Sequence, residues 1–328
     1  MNSFDFMTCR TGFNSSLFTK FLFSPKQTRV STRNCSEKTD LYGYKWNSQS
    51  PPAFDTVLTV HLYFYLASED KVRSLYSLGN FKMSKQFDKT NYGSKIYDKE
   101  KKEIIEGLVG NTVINGVSSI NNINSIIIDR MNDGNSFSLK YTVQKDCTMC
   151  GKTESEKMLA DFELPRLTKI NSTNQCITNK TGSDNYCGCC RKEAKVIKTE
   201  YVQVPELLSL GLCSIDDQDK VIENEILIEP EIYMKGKNPE QTRYSLFAVG
   251  YTIRNSATAD LHIARIKVGD CVYTYCSSDS YGVFKKVEDT EKFPNTLGKQ
   301  DFLPTFYQAQ MAWYKKEDLN TRYAYAMV

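Results

Sequence analysis

Two C-x-x-C pairs constrain this chain more than any other feature: Cys147 with Cys150 and Cys187 with Cys190, with 36 residues between the inner cysteines. Each pair turns the backbone so that both sulfurs face one centre, and two such turns supply the four soft ligands that tetrahedral zinc takes at about 2.3 Å. Four protein ligands leave no open position for water, so the spacing implies structural Zn2+ and not a catalytic metal. Cys189 crowds the second pair, yet only Cys187 keeps the two-residue gap to Cys190. A redox C-x-x-C would sit in a βαβ context, and none is legible here.

Five of the 11 cysteines lie in this one region, which points to metal binding in a reducing compartment and away from a disulfide framework. The N-terminus MNSFDFMTCRTGF lacks the basic-then-apolar layout of a secretory leader, so the expected location is cytoplasm or nucleus. Hydrophobic residues at 40% and charged residues at 25% place the chain among ordinary globular proteins. The net charge of +3 comes with no basic stripe, which argues against a nucleic-acid partner. No run of eighteen apolar residues occurs, so no membrane partner is expected either. A monomer is the expected state.

Along the chain, Leu17, Phe18, Phe21 and Leu22 recur as one stripe of a helix that ends at Pro25. Residues 26–55 are polar and read as a loop with a turn at Pro51-Pro52, before a buried helix in VLTVHLYFYLASEDKVRSLYSLG. Residues 81–102, rich in Lys, Asp and Tyr, read as an exposed insertion, and INNINSIIIDRM (120–131) as a helix. After Asp133-Gly134 the period changes to two, with Phe137, Leu139, Tyr141 and Val143 on one strand face. KVIKTEYVQV, NEILIEPEIYM, RYSLFAVGYTI, DLHIARIKV and CVYTYC continue as strands, giving an α+β architecture: helices first, sheet after. There are two histidines; His61 lies inside an apolar run and reads as structural, which leaves His262 for chemistry.

The order of these segments resembles the catalytic domain of the ubiquitin-specific proteases (USPs). The matching pieces are the cysteine pairs, Pro205 to Leu208, Tyr244 to Val249, Leu261 to Ala264, Tyr273 to Tyr275, and Ala309 to Tyr314. The resemblance covers about residues 135 to 316 and, weakly, the rest; Asn121 to Ile128 answers, faintly and without acidic residues, to the family's Gln-Asp-x-x-Glu-Phe box. It implies a papain-like cysteine peptidase fold with a helical thumb (1–134), zinc-ribbon fingers (135–200), a β-rich palm (201–316) and a tail (317–328). The implied activity is deubiquitination: thiol-dependent hydrolysis at the C-terminal glycine of ubiquitin or a ubiquitin-like modifier. The alternative is an inactive scaffold that binds the modifier or a protein partner.

The resemblance also implies catalytic residues. His262 is the general base, because it stands between the Tyr244 and Tyr273 strands. Asp279 is its orienter, although the family's Asp or Asn follows directly where Cys276-Ser277-Ser278 stand, so Ser277 or Ser278 are rivals. The nucleophile box, Asn-Thr-Cys-x-x-Asn-Ser-x-Leu, starts a helix whose unpaired amides lower the thiol pKa. Thr8-Cys9 matches its first half and Asn14-Ser15-Ser16-Leu17 its second, with two extra residues between. Cys9 is the nucleophile if these form a loop; without an insertion Thr11 stands there and the enzyme is dead. Leu261 and Ile263 replace the glycine and tyrosine that flank the family's histidine.

Overall fold

The computed structural model describes residues 41–45, 52–77, 82–89, 94–109, 119–131, 137–160, 172–173, 186–212, 214–215, 221–222, 226–235, 241–253, 262–277, 282, 284–288, 292–297 and 306–317. The helix expected before Pro25, the Cys9 and Thr11 registers, Ser278, Asp279 and the 318–328 tail lie outside them.

Helix α1 (Pro52–Leu66) is buried from Ala53 to Tyr65 on every face, which is why its sequence is a continuous apolar run without a stripe. Proline is accepted at its first position because the N–H it lacks would have had no intrahelical partner. A short α2 (Asp70–Arg73) and a 3₁₀ turn (Ser74–Ser77) follow. Residues 81–102 are not the exposed insertion that their composition implied. Helices α3 (Met83–Lys89) and α4 (Ser94–Val109) occupy much of that stretch, and Met83, Phe87, Ile104 and Leu108 enter the core. Few apolar residues suffice when they share one helical face, and Lys101 is itself buried by an ion pair. Its Nζ lies 2.6 Å from Asp55 of α1 and donates to the Lys45 carbonyl at 2.9 Å. Helix α5 (Ile120–Met131) has the expected bounds and buries Ile120, Ile123, Ile127, Ile128 and Met131.

All strands follow the helices. A three-stranded sheet runs β2 (Thr153–Ala160), β1 (Leu139–Asp146), β3 (Lys195–Gln203). β1 alternates buried and half-buried residues, so Leu139, Tyr141 and Val143 share one face as their period required. The eight-stranded sheet is antiparallel, with β4 (Leu207–Gly211), β7 (Glu231–Lys235), β8 (Gln241–Ile253), β9 (His262–Val268), β10 (Cys271–Cys276), β11 (Phe284–Lys286), β12 (Thr296–Leu297) and β13 (Tyr307–Lys316). A two-stranded ribbon pairs β5 (Ser214–Ile215) with β6 (Val221–Ile222). The main path is β11-β10-β9-β8-β13-β12; β7 extends the β9 edge of β8 and β4 the β12 edge of β13. Of the expected strand NEILIEPEIYM the second half forms β7, while in the first half Leu227 makes an isolated parallel bridge with Ser172; Pro230 between them has no N–H to give a ladder.

One face of this sheet packs on α1 and α5 through Ala248, Ala264, Ile266, Tyr275, Met311 and Trp313; the other packs with β1 through Val249, Tyr251, Ile263 and Tyr314. Gly250 admits this contact: a Cβ there would lie 3.0 Å from both Ile120 Cδ1 and the Trp313 ring. Beside it a buried polar chain joins helices to sheet. Trp313 Nε1 donates to Asn124 Oδ1 at 3.0 Å, and His61 Nε2 meets the same oxygen at 3.2 Å. The oxygen can only accept, so His61 carries its proton on Nε2, and Nδ1 accepts from the Tyr76 hydroxyl at 3.1 Å.

Burial holds the His61 pKa down at about 4, against the opposing pull of the Asn124 hydrogen bond. A histidine kept neutral in the fold and free to protonate near pH 6.5 when unfolded stabilises the protein fully above pH 6.5. That stabilisation, about 3 kcal/mol, is lost as pH falls from 6.5 towards 4. Urea unfolding across that window should show the slope, and His61→Gln should flatten it; an unchanged slope in the variant would remove His61 as its source.

Candidate metal centre and the His262 site

The two C-x-x-C turns form one centre at the tip of the three-stranded sheet. The first links β1 to β2 and the second leads into β3, so pairing of β1 with both neighbours brings the cysteines together across more than thirty residues of sequence. Both turns make the same backbone bonds. The Cys147 N–H donates to the Lys152 carbonyl (3.0 Å) and the Gly151 N–H to the Cys147 carbonyl (2.9 Å); Cys187 with Lys192 (2.8 Å) and Arg191 with Cys187 (2.9 Å) repeat them. The residue after the second cysteine is left-handed in each case, Gly151 at φ 65° and Arg191 at φ 54°. Glycine takes that conformation freely and arginine does not, so the second turn is held against a local backbone preference.

The sulfurs of Cys147, Cys150, Cys187 and Cys190 all lie within 4.8 Å of one another. Cys147 and Cys190 are 3.4 Å apart and Cys150 and Cys187 3.6 Å, close to the roughly 3.8 Å that a tetrahedron with 2.3 Å metal–sulfur bonds requires. Cys189 is not in the set: it is exposed, and its sulfur accepts from Lys152 Nζ at 2.9 Å. Glu154 on β2 braces the second turn by accepting the Gly188 N–H at 2.9 Å. The Cys150 N–H holds the Cys147 thiol down at about 7, whereas Cys150, despite favourable donation from the Lys152 N–H, is pushed up to about 12 by burial and the adjacent sulfurs. Four thiolates at this spacing need a cation, and the donor set is that of zinc. Among the described residues the tip is packed by Cys147, Cys187 and Ala194 with Cys190 against them, so a metal held there would take the place of apolar burial.

The second site is at the start of β9. His262 is 1% exposed and stands opposite Thr252 of β8, which in turn faces Gln308 of β13. On the other side Cys276 pairs with Ile263, and both pack in the cluster on the far face. Ser277, one step further along, comes level with His262 on the helix side. Among the described residues Ser277 Oγ and Thr252 Oγ1 are buried with no hydrogen-bond partner, so two hydroxyls flank His262 across the neighbouring strands, with Gln308 beyond Thr252. Alternation thus turns Cys276, the residue directly after Tyr275, away from the histidine and makes Ser277 its neighbour.

The helix that meets this strand is α1. Thr56, one turn in, places its hydroxyl 3.4 Å from the His262 carbonyl and 3.2 Å from the Pro52 carbonyl, so one side chain ties the helix start to the strand start. Lys101 anchors the same turn through Asp55. Sequence reasoning read residues 26–55 as a loop, whereas α1 begins at Pro52 within that stretch. The missed signal is Pro51-Pro52 followed by a long apolar run, a helix start and not only a turn.

No protein-family model matches the chain, and no curated protein matches it by sequence. Solved structures do match by fold. The SAGA Ubp8/Sgf11/Sus1/Sgf73 DUB module bound to ubiquitin aldehyde aligns with a TM-score of 0.57 at 12% identity, covering 85% of this chain and 70% of that one. The same module bound to monoubiquitin aligns at 0.55 and 13%, covering 88% and 73%. A yeast SAGA module with a mutant Sgf73 aligns at 0.57 and 10%, covering 90% and 71%. Among the described residues no helix is long and apolar enough to cross a membrane. The chain therefore has a USP-like fold of mixed helix and sheet, with four cysteines placed to hold a metal ion.

Proposed function

We propose that this chain recognises ubiquitin or a ubiquitin-like modifier, with zinc held by Cys147, Cys150, Cys187 and Cys190 stiffening the tip of the three-stranded sheet. The observation that carries the reading is the USP-like fold, shared over most of the chain with DUB modules that were solved bound to ubiquitin aldehyde and monoubiquitin. In the hydrolytic form of the reading, Cys9 attacks the carbonyl of the modifier's C-terminal glycine, His262 takes the thiol proton and Asp279 orients the imidazole. The isopeptide C–N bond breaks as the imidazolium returns its proton to the departing amine, and water, deprotonated by His262, then hydrolyses the thioester to free the modifier's carboxylate and the Cys9 thiol. In the second form the domain binds the modifier without cutting it. The observation that raises this form is the α1 start beside the His262 strand, where a proline stands.

Titration calorimetry with ubiquitin and with other modifiers tests recognition. We expect saturable binding to one of them, and a folded, zinc-loaded sample that binds none removes the proposal. Reaction with a modifier carrying a C-terminal thiol-reactive group then separates the two forms: an adduct on Cys9 selects hydrolysis.

A further inference from the structure

We propose that Pro52 occupies the nucleophile's place, so that the region where α1 starts beside β9 retains a modifier's C-terminal tail without cutting it. The retention of the tail rests on the modifier-recognition reading; the placement of Pro52 does not. Two observations support it. Thr56 bridges the carbonyls of Pro52 and His262, which sets the first turn of α1 against the start of β9. The box Cys-x-x-Asn-Ser-x-Leu, laid on this helix start, falls on Pro52, Asp55, Thr56 and Leu58: an acid for its amide, a hydroxyl for its hydroxyl, the same leucine, and proline for cysteine.

The chemistry agrees with the geometry. Proline has neither a nucleophilic atom nor an amide proton, so it offers neither attack nor donation to an oxyanion. It also fits the first helical position without strain, so the exchange leaves α1 in place. A thiol in the same place would meet the unpaired amides of the helix start and an imidazole, the two conditions that lower a cysteine pKa.

The test uses the full chain and the single variant Pro52→Cys. Alkylation by iodoacetamide as a function of pH, read on that peptide by mass spectrometry, is expected to show the introduced thiol ionising at least about one pH unit below the ordinary 8.5. Adding His262→Ala should move it back up. A ubiquitin with a C-terminal electrophile should label Pro52→Cys at least tenfold faster than the unaltered protein (about 10-fold, one pK-equivalent). An ordinary thiol pKa insensitive to His262→Ala overturns the placement. So does an adduct on Cys9 of the unaltered protein, a measurement that does not depend on how the variant folds. A lowered, His262-dependent pKa without labelling by any modifier probe leaves the placement standing and removes modifier recognition instead.

Discussion

Removing the metal should produce the largest change this chain can show short of global unfolding. A strong chelator is expected to release about one zinc per chain, and Cys190→Ser to prevent its uptake, since structural zinc contributes on the order of 10 kcal/mol to small domains that bind it. The loss should be local. Leu139, Tyr141, Val143 and Tyr201 tie the base of the three-stranded sheet to the main core, whereas among the described residues the tip is packed by Cys147, Cys187 and Ala194 with Cys190 against them. Hydrogen exchange should therefore accelerate at the backbone bonds of Cys147–Lys152 and Cys187–Lys192 while the eight-stranded sheet keeps its protection. Cobalt substitution gives a direct check, because four thiolates produce intense tetrahedral spectra. A protein that binds neither metal, or whose tip stays protected after chelation, contradicts the four-cysteine centre.

The second large effect is expected from Lys101. Its ammonium and the Asp55 carboxylate are 1% and 0% exposed, so the pair is screened by almost no water. Removing one partner strands a buried charge, and Lys101→Met should cost about 3–5 kcal/mol in urea unfolding. The double change Lys101→Met with Asp55→Leu should recover most of it, because an apolar pair of similar volume avoids desolvating either charge. Additive losses would mean that the two side chains act separately. The pair also decides where α1 begins, since Asp55 lies in the turn that Thr56 joins to the His262 strand. Partial loss of that anchor should raise exchange at the start of α1 before it reaches the centre of the sheet.

Much of the fold was legible from local pattern. The bounds of α5, the alternation of β1 and the strand that holds His262 follow from local pattern, whereas β13 with Trp313, buried along most of its length, was legible only through the family resemblance. The region 81–102 misled because composition was read in place of period. Lys, Asp and Tyr made it look solvated, yet helix α4 buries Ile104, Leu108 and a lysine on one side. The start of α1 beside His262 escaped for another reason: it carries no cysteine to mark it, and the Thr8-Cys9 segment lies outside the described residues.

What the sequence by itself determined are features whose cause lies within a few residues. A C-x-x-C turn aims its sulfurs through its own backbone bonds, and an apolar period of two or 3.6 selects strand or helix before any partner is present. What only the tertiary structure decided are the meetings between distant elements. Thr56 and His262 are 206 residues apart, Trp313 and Asn124 are 189 apart, and Lys101 finds Asp55 on another helix. No local propensity encodes such pairs. They are chosen when the apolar faces of α1, α5 and the eight-stranded sheet exclude water together, and every polar group carried inside must then take the neighbour that this packing leaves beside it.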